Sequence, residues 1–562
     1  MKSRLHKIEI RNFKAFREFT LNLEGRHLLV YGANGSGKSS LYWALYTFLQ
    51  SARKNPKGAI AKYFEPGGNE NLLNFHEQTA ASPMPGEIAL TIRDTGTKTD
   101  TTYRINRVDH GTHNERAILK GDLASDFITY RFFFGFSNFK NSERFDLWRL
   151  FEAEILPFCV RPGAARTPFQ EWERIRGGDA NPSGSRGTGG ADAYASFKSA
   201  TEQFAVTLAV VVGDISRKAQ EFYDRHFAKD DPVPVQLVFG LIRPPTFSGT
   251  NQGNSRFKKP ILELHLKIGS EVVKRPQSFL NEAKLTQVAL SVRLAASLVN
   301  LQEDEHNYLK LLVLDDLLVS LDMSNRMKVV EILVSDKDFT TYQKIILTHD
   351  RGLFDEFRRM IGTAHGDWCF RTLQGNPKDG IKDKEEKDPI EKATDYLNAH
   401  DLEAAALQLR KAAEETAQSY LKMATGKAPK PGEFHSLSSK LDKARNILLN
   451  QLPLQMFKEV CSKVPKIHRG KLVRMNDDDI DADAALTADE KQLIKQQREK
   501  LKEFMAHDAW KTLDAINILD AVIQMKDRVL NPAAHWSETP LFNAEVKKAL
   551  TLIGRLEATL LK

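Results

Sequence analysis

The sequence has few cysteines and no long apolar runs. Only three cysteines, Cys159, Cys369 and Cys461, occur in 562 residues, and no two of them form a CxxC pair. This argues against a disulfide framework and a cysteine zinc site, and it predicts a reducing, cytoplasmic setting. No stretch approaches the roughly 18 uninterrupted apolar residues of a membrane-spanning helix, and the N-terminus lacks the apolar core of a signal peptide. We therefore expect neither export nor membrane insertion.

The sequence also lacks a strong excess of one charge. Lys plus Arg total 81 against 73 for Asp plus Glu, which gives a net charge of +8 and a pI near 9.0. This small positive excess weakly favours a nucleic-acid partner, either RNA or DNA. The length exceeds what one hydrophobic core organises, so two or more domains are expected. Sustained apolar heptads are absent, which argues against a long coiled coil.

What the sequence does contain is a glycine-rich loop between a strand and a helix. The apolar "HLLVYG" runs into "GANGSGKS" and then into "SLYWALYTFLQ". This fits GxxxxGK[ST], in which successive backbone N–H groups surround phosphate oxygens. Lys38 is predicted to reach the outer phosphates of ATP, and Ser39 to hold Mg²⁺. The residues predicted to bind ATP in this segment are Gly32, Asn34, Gly35, Ser36, Gly37, Lys38, Ser39 and Ser40.

Carboxylates follow a second buried strand, "LLVLDD", at residues 311–316. We expect Asp315 to bind Mg²⁺ and Asp316 to polarise the attacking water. "SLD" follows at 320–322, and a later strand, "ILTHD", ends with His349 at its tip. A histidine at a strand end is more often structural, but this order makes His349 a candidate sensor of the γ-phosphate.

This order of motifs resembles the ABC-type ATPases of the SMC and RecF group over residues 1–370. In that family "IRNFKAF" is the opening, "VLDD" the Walker B strand, "SLD" with Asp322 the D-loop, and "THD" the switch histidine. The resemblance implies an α/β head with a mixed, largely parallel sheet. It also implies a head-to-tail homodimer, or a higher oligomer, that encloses two ATP molecules between its heads.

Three positions depart from the family pattern. The signature segment falls at "FLNEAK", 279–284, where Asn281 replaces the common serine but can still cap a helix that faces phosphate. The catalytic glutamate is an aspartate, Asp316, which is one methylene shorter. The Q-loop glutamine has no clear counterpart, and Asn138 or Asn141 are the candidates.

Composition divides the chain into an ATPase domain at 1–375, a charged linker at 376–392 and a helical domain at 393–562. Strands alternating with helices between 276 and 370 favour a parallel sheet in the first domain. The segment from 160 to 193 is rich in Gly, Pro, Ser and Arg and is predicted to be a mobile loop, and "RMNDDDIDADAALTADE" an acidic loop.

The C-terminal domain carries two arginine motifs. Arg410 and Glu414 lie four residues apart on one helical face, a spacing that by itself predicts an exposed ion pair. Arg528 and His535 flank a predicted turn at Asn531-Pro532, with Asn531 as helix cap. A histidine and an arginine can supply proton transfer and charge stabilisation for metal-free RNA cleavage.

This domain resembles the all-α HEPN domains, whose RNases use an Arg-x(4 to 6)-His motif that Arg528 and His535 match. Anticodon nucleases of the RloC and PrrC type similarly join an SMC-like ATPase to a HEPN-like RNase, and Arg410, Glu414 and His535 fit their pattern in order. The resemblance implies an anti-phage effector that cuts RNA, with tRNA as one candidate substrate.

Other functions stay open at this point. The helical domain could be a non-catalytic interaction module that docks a separate nuclease subunit, as in PtuA-like ATPases of Septu and retron defence systems. The chain could also be a RecF-like DNA-repair ATPase.

Overall fold

The computed structural model describes residues 3–53, 59–79, 82–109, 112, 115–159, 167–176, 188–230, 234–249, 256–299, 308–317, 321, 323–361, 366–426, 436–451, 462–465, 477–505, 509–532 and 540–561. It divides into two units, Met1–Glu386 and Lys387–Lys562. We call them the head and the helical unit. None of the helices in these ranges is long and apolar enough to cross a membrane.

Fifteen strands are present in the described part of the head. They are β1 Ser3–Phe13, β2 Phe16–Asn22, β3 His27–Gly32, β4 Glu87–Asp94, β5 Asp100–Asn106, β6 Asp126–Thr129, β7 Gln236–Arg243, β8 Thr246–Ser248, β9 Arg256–Lys258, β10 Ile261–Ile268, β11 Glu271–Val273, β12 Leu311–Asp315, β13 Gln343–Thr348, β14 Trp368–Asn376 and β15 Gly380–Glu385.

The head is built on a six-stranded sheet with the order β15-β14-β3-β13-β12-β6. All neighbours in it are parallel except the edge pair β14 and β15. Three antiparallel sheets accompany it, with the orders β2-β1-β4-β5, β11-β10-β7 and β8-β9. The predicted α/β head with a mixed, largely parallel sheet is confirmed.

The helices of the head are α1 Lys38–Gln50, α2 Phe75–Gln78, α3 Arg116–Ala124, α4 Arg131–Ser137, α5 Trp148–Glu154, α6 Pro168–Arg176, α7 Thr188–His226, α8 Pro276–Phe279, α9 Glu282–Val299, α10 Met323–Ser335 and α11 Arg351–Ile361. Short 3₁₀ turns lie at Ser51–Arg53, Ala61–Phe64, Leu156–Phe158, Ala228–Asp230 and Lys337–Phe339.

Both faces of the central sheet are buried, which explains why its strands are continuous apolar runs. Every residue of β12 and of β13 is buried. Successive residues point to opposite faces, so Leu312 and Leu314 join one apolar core while Leu311 and Val313 join the other. The two cores therefore hold the carboxyl ends of β3, β12 and β13 in place, and the phosphate-site motifs follow these strand ends.

A buried ion pair anchors the edge strand β6 to α9. The guanidinium of Arg293 donates from Nη1 and Nη2 to the two carboxylate oxygens of Asp126, at 2.7 Å each, and from Nη2 to the Phe127 carbonyl at 3.1 Å. The Ser297 hydroxyl also contacts Asp126. Breaking such a pair leaves an uncompensated buried charge, at a cost of about 3–5 kcal/mol.

The structure differs from the predicted loop at 160–193. Residues 168–176 form helix α6, and α7 already begins at Thr188. Trp172 of α6 is fully buried and packs edge-on against Trp148, so burial of a large indole outweighs the local Gly and Pro content. Residues 160–166 and 177–187 lie outside the described residues.

The predicted charged linker at 376–392 is also different in the structure. Residues 380–385 form β15, which pairs with β14, and residues 389–398 form a helix. Residues 382–385 of β15 are all charged, as suits an edge strand, and Ile381 is the residue of β15 that points into the core. The head therefore continues to Glu386, and the helical unit begins at Lys387.

The helical unit contains α12 Pro389–Asn398, α13 Leu402–Thr425, α14 Leu437–Gln451, α15 Asp477–Ala482, α16 Ala488–Met505, α17 Ala509–Met525 and α18 Asn543–Leu560. A π-helical turn, Lys526–Leu530, continues α17. One apolar core joins α12, α13, α14, α17 and α18. The all-α prediction is confirmed, although residues 477–482 of the predicted acidic loop are helical.

Candidate nucleotide site

The glycine-rich loop joins β3 to α1. Gly37 immediately precedes α1, with a φ of 95°, and Gly35 has a φ of 85°. These left-handed angles favour glycine, and they direct successive backbone N–H groups into a concave nest. A side chain at Gly37 would collide with Ile381, since an added Cβ would lie 2.6 Å from its Cδ1 atom. The loop is therefore shaped both by its own backbone and by the neighbouring strand β15.

Lys38 lies in the first turn of α1 and folds back across the loop. Its Nζ donates to the carbonyl oxygens of Gly32 at 2.7 Å and Ala33 at 3.2 Å, and it is buried. Burial lowers the pKa of Lys38, while the carboxylates of Asp316 and Asp315 act in the opposite direction. The ammonium is thus held at the mouth of the loop between backbone and carboxylate oxygens.

Asp315 ends β12, and the Ser39 side chain lies close enough to lower the pKa of its carboxyl. Burial raises the pKa of Asp315 to about 6, despite the opposing effects of Ser39 and Lys38. Its Oδ1 atom is buried and has no hydrogen-bond partner in the described part of the chain. Such an oxygen beside a serine hydroxyl suits Mg²⁺, which binds one or two protein ligands and takes the rest from phosphate and water.

The remaining loop residues have different environments. Asn34 is exposed, and Ser36 is buried with an Oγ that has no described hydrogen-bond partner. Ser40, predicted to bind ATP, accepts a hydrogen bond from the Ala15 N–H in the β1–β2 turn at 3.2 Å. Its hydroxyl therefore ties the opening motif of the chain to the phosphate loop.

Asp316 and His349 are brought together because β12 and β13 are parallel neighbours. The His349 N–H donates to Asp316 Oδ1 at 2.9 Å, and His349 Nδ1 lies 2.9 Å from the same oxygen. Asp316 has a φ of 50°, a left-handed backbone conformation that a non-glycine residue adopts at a cost of about 1 kcal/mol or more. The fold thus holds Asp316 in a strained backbone conformation, with its carboxylate next to His349 and near Lys38.

Arg326, which the sequence patterns did not single out, links the predicted D-loop to the switch segment. Its Nε donates to the Leu321 carbonyl at 2.7 Å, and its Nη1 donates to the Asp350 carboxylate at 2.8 Å. Asp350 also accepts from the Leu353 N–H at the start of α11. Asp322 itself lies outside the described residues.

Asn281 caps α9, as the sequence predicts. Its Oδ1 accepts from the Lys284 N–H at 2.9 Å, and its carbonyl accepts from the Leu285 N–H. Asn325 donates to the Ala283 carbonyl at 3.0 Å and so joins α10 to the same helix start. The positive end of α9 is capped and faces outward with Glu282 and Lys284 in its first turn.

Arg351 is a second residue that motif spacing did not identify. It follows His349 by two positions, lies over the rings of Tyr31 and Phe354, and pairs with Glu386 at 3.4 Å. Glu386 also accepts from the Thr372 hydroxyl at 2.9 Å. The switch segment is therefore in direct contact with the last residue of the head, a relationship across 35 residues that no local pattern reveals.

The Q-loop candidates show no link to this site. Asn138 ends α4 and Asn141 lies in the turn after it, and neither has a hydrogen bond to the described residues of the phosphate loop. Arg131, at the start of α4, is instead close enough to Asp315 to act on its pKa. No sequence motif distinguishes a basic residue at a helix start, so the position of Arg131 near Asp315 could not be predicted from the sequence.

In the helical unit Arg410 and Arg528 make separate contacts. Arg410 donates to Glu414 at 3.1 Å and to the Asn531 side chain at 2.8 Å. Arg528 pairs with Glu545 of α18 at 2.8 Å. Asn531 closes the π-helical turn, and residues 533–539, which would form a helix capped by it, lie outside the described residues. His535 lies outside the described residues.

Three comparisons with known proteins place these observations in context. Residues 4–369 match the model of the RecF/RecN/SMC N terminal domain. No curated protein is similar enough to the sequence to be matched.

Solved structures that match the chain include SMC heads and RecF, with TM-scores below 0.5. An Smc head bound to the C-winged helix domain of ScpA is 14% identical, with 68% of this chain and 98% of that chain covered and a TM-score of 0.33. A Pyrococcus furiosus Smc head bound to the C-terminal domain of ScpA is 15% identical, with 71% and 99% covered and a TM-score of 0.38. RecF with ATP is 11% identical, with 69% and 98% covered and a TM-score of 0.39.

The family match spans well over half of the chain and includes the glycine loop, the strand that ends in Asp315, and His349. ATP binding and hydrolysis are the chemistry of this family. The chain belongs to the RecF/RecN/SMC N-terminal domain family of ABC-type ATPase heads.

Proposed function

We propose that this protein is a Mg²⁺-dependent ATPase whose heads engage in pairs and whose helical unit acts as the effector of an anti-phage defence response. The observation that carries the ATPase half is the meeting of Ser39 with Asp315 and of Asp316 with His349 at the ends of neighbouring strands. ATP supplies a γ-phosphoryl group whose transfer to water needs positioning and charge stabilisation.

Each polar group has a separate role in this proposal. Ser39 and Asp315 hold Mg²⁺, and Lys38 neutralises charge on the outer phosphates. Asp316 orients and deprotonates the attacking water, while the His349 backbone N–H fixes the Asp316 carboxylate through its hydrogen bond of 2.9 Å. Because aspartate is one methylene shorter than glutamate, we expect turnover to be slow.

Head pairing would complete the site from a second copy. The capped start of α9 carries Asn281 and positions backbone N–H groups that favour an anionic phosphate. A head-to-tail arrangement would bring this helix start to the partner's glycine loop. Asn281 and Asp322 are the side chains that we assign to that contact.

Equilibrium binding and turnover together test the ATPase assignment. Lys38→Ala should abolish binding of a fluorescent ATP analogue, whereas Asp316→Asn should bind it and hydrolyse ATP at a rate lower by about two orders of magnitude or more. Sedimentation with ATP should show that Asp316→Asn accumulates as the paired form. Full turnover by Asp316→Asn would contradict the assignment of Asp316 as base.

A second activity, metal-independent RNA cleavage by the helical unit, is favoured by one contact. The hydrogen bond from Arg410 to Asn531 brings the Arg410 and Glu414 pair next to the π-helical turn that contains Arg528. π-Helical turns occur frequently at functional sites. In addition, Arg528 Nη1 is buried and has no hydrogen-bond partner among the described residues.

We assign His535 as the proton-transfer group and Arg410, Glu414 and Arg528 as the groups that orient it and stabilise charge on phosphorus. Contact between Arg351 and Glu386 gives the ATP site a physical route to the end of the head, one residue before the helical unit. Through this route the nucleotide state would control cleavage.

Expression of the wild type alone separates cleavage from scaffolding. New tRNA ends and growth arrest that are lost in His535→Ala, with ATP binding retained, would support the RNase. Unchanged RNA with the wild type, together with co-purification of a nuclease, would favour the scaffold function in which a separate subunit does the cutting. Binding to recombination intermediates without either result would favour RecF-like repair.

A further inference from the structure

Helix α7 buries one face against α9 and β7 and leaves an apolar strip on the other. Val206 and Val210 are 62% and 46% exposed, and Ala209 and Gly213 on the same strip are exposed as well. These residues recur at steps of three and four, so they line one side of the helix. Solvated valines on successive turns indicate a surface that another helix can cover.

Gly213 supports this interpretation. It lies in the interior of a 39-residue helix, where glycine is a poor helix former. A Cβ added there would meet nothing within 4 Å, so packing inside the chain does not require glycine. A close approach by a second helix would require it, because the absence of a side chain lets two backbones come together.

The charges that flank the strip are arranged symmetrically. Lys198 and Glu202 precede it, and Arg217 and Glu221 follow it. All four side chains are exposed, and the ion pairs that they form within the described residues are local ones on α7 itself. They are therefore accessible to a partner.

The symmetry becomes apparent when α7 is placed antiparallel to a copy of itself with the two-fold axis between Ala209 and Val210. Glu202 then lies opposite Arg217 of the second copy, and Lys198 opposite Glu221. Val206 lies opposite Gly213, so the valine side chain fills the space that glycine, which has no side chain, leaves open. Each charge meets its opposite at both ends, which is what an isologous interface requires.

We propose that α7 is a homodimerisation surface on which a second copy of this chain docks antiparallel, independently of ATP. The contacts that we assign to this interface are the apolar strip at the centre and, at the ends, the pairs Glu202 with Arg217 and Lys198 with Glu221. This interface is separate from the nucleotide-dependent pairing of heads. A chain with two different two-fold surfaces can assemble beyond a dimer when ATP is added.

The test is the mass of the full chain by sedimentation velocity without nucleotide at ~10 µM, a concentration at which a micromolar dimer is populated. Wild type and Lys38→Ala should both be dimers, since ATP is not needed. The double substitution Val206→Glu with Val210→Glu should be a monomer. Val272→Glu, at an exposed valine of β11, is the matched control and should remain a dimer.

Charge reversal provides the sharper test, because it predicts a rescue. Glu202→Lys alone places two cations opposite each other, and Arg217→Glu alone places two anions opposite each other, so each should weaken the dimer at least about tenfold. An equimolar mixture of the two variants pairs Lys with Glu at one end and the native residues at the other. The mixture should therefore regain dimers.

Failure to rescue would overturn the antiparallel register, and a monomeric wild type without nucleotide would overturn the interface. Far-UV circular dichroism and binding of an ATP analogue should be unchanged in every α7 variant. Loss of ATP-dependent pairing with the α7 dimer intact would instead count against the proposed head engagement, so the two proposals fail separately.

Discussion

Two nitrogen atoms of His349 lie next to the same carboxylate oxygen of Asp316. The backbone N–H of His349 donates to Asp316 Oδ1, and His349 Nδ1 lies 2.9 Å from the same atom. The backbone hydrogen bond fixes the rotation of the carboxylate at the end of β12 and holds it beside the imidazole. Any movement of the switch segment must therefore change the orientation of the group that we assign as the base.

This relationship makes Asp316→Asn an informative variant. Asparagine tolerates the left-handed φ of 50° and still accepts the hydrogen bond from His349, so the fold should be retained. We expect ATP affinity within about threefold of the wild type and a hydrolysis rate lower by about 10²-fold or more. Single-turnover hydrolysis beside equilibrium binding measures both, and an equal loss of binding would show that Asp316 acts on the ground state.

Gly37→Ala should disrupt the phosphate loop through Ile381. The new Cβ would lie 2.6 Å from Ile381 Cδ1 at a φ of 95°, which adds a clash to backbone strain. We expect a loss of about 1–3 kcal/mol in the free energy of unfolding together with loss of ATP binding.

Gly35→Ala is the matched control for this prediction. It has a similar φ, but a Cβ there meets nothing within 4 Å, so it should show the strain alone. Adding Ile381→Ala should recover part of the loss in Gly37→Ala and none in Gly35→Ala. Equal unfolding free energies for the two alanine variants would contradict the assigned contact.

Asn281 should contribute to stability as a helix cap before it contributes to any contact in trans. Asn281→Ala removes the acceptor of the Lys284 N–H and should cost about 1 kcal/mol of stability, whereas Asn281→Ser should retain most of it. Chemical denaturation of the nucleotide-free chain measures this cost. If Asn281→Ser restores stability but not ATP-dependent pairing, the amide has a role in pairing beyond the cap.

Lys344 gives the head a pH-dependent stability. It is 3% exposed near Arg4, and burial lowers its pKa to about 8, below the ordinary value of 10.5. The charged amine therefore destabilises the folded state at neutral pH, and this cost falls as the pH rises from about 8 towards 10.5.

Lys344→Met should consequently raise the free energy of unfolding at pH 7 by up to about 3 kcal/mol and by clearly less at pH 9.5. Urea unfolding at the two pH values measures the difference. Lys382→Met, at an exposed residue of β15, should change stability little at either pH. A gain that is independent of pH would mean that packing, and not charge, limits the wild type.

The parts of the fold that sequence predicts are those with a local signal. The glycine loop, the apolar strands and the order of Asp315, Asp316 and His349 follow from short patterns, and parallel pairing then brings them together. Arg326, Arg351 and Ile381 escaped prediction because their contacts join segments far apart in the chain. Composition misled at α6 and β15, since burial of Trp172 and pairing with β14 outweigh polar content.

Strand β15 sets where the two units can be separated. A head produced alone and ended at residue 375 would lack its edge strand, so the backbone groups of β14 that pair with β15 would be bare. Unpaired strand edges recruit other chains, and such a fragment should aggregate. Ile381, which lies against the phosphate loop at Gly37, would be missing as well. A soluble head that can be assayed for nucleotide binding must therefore extend to Glu386.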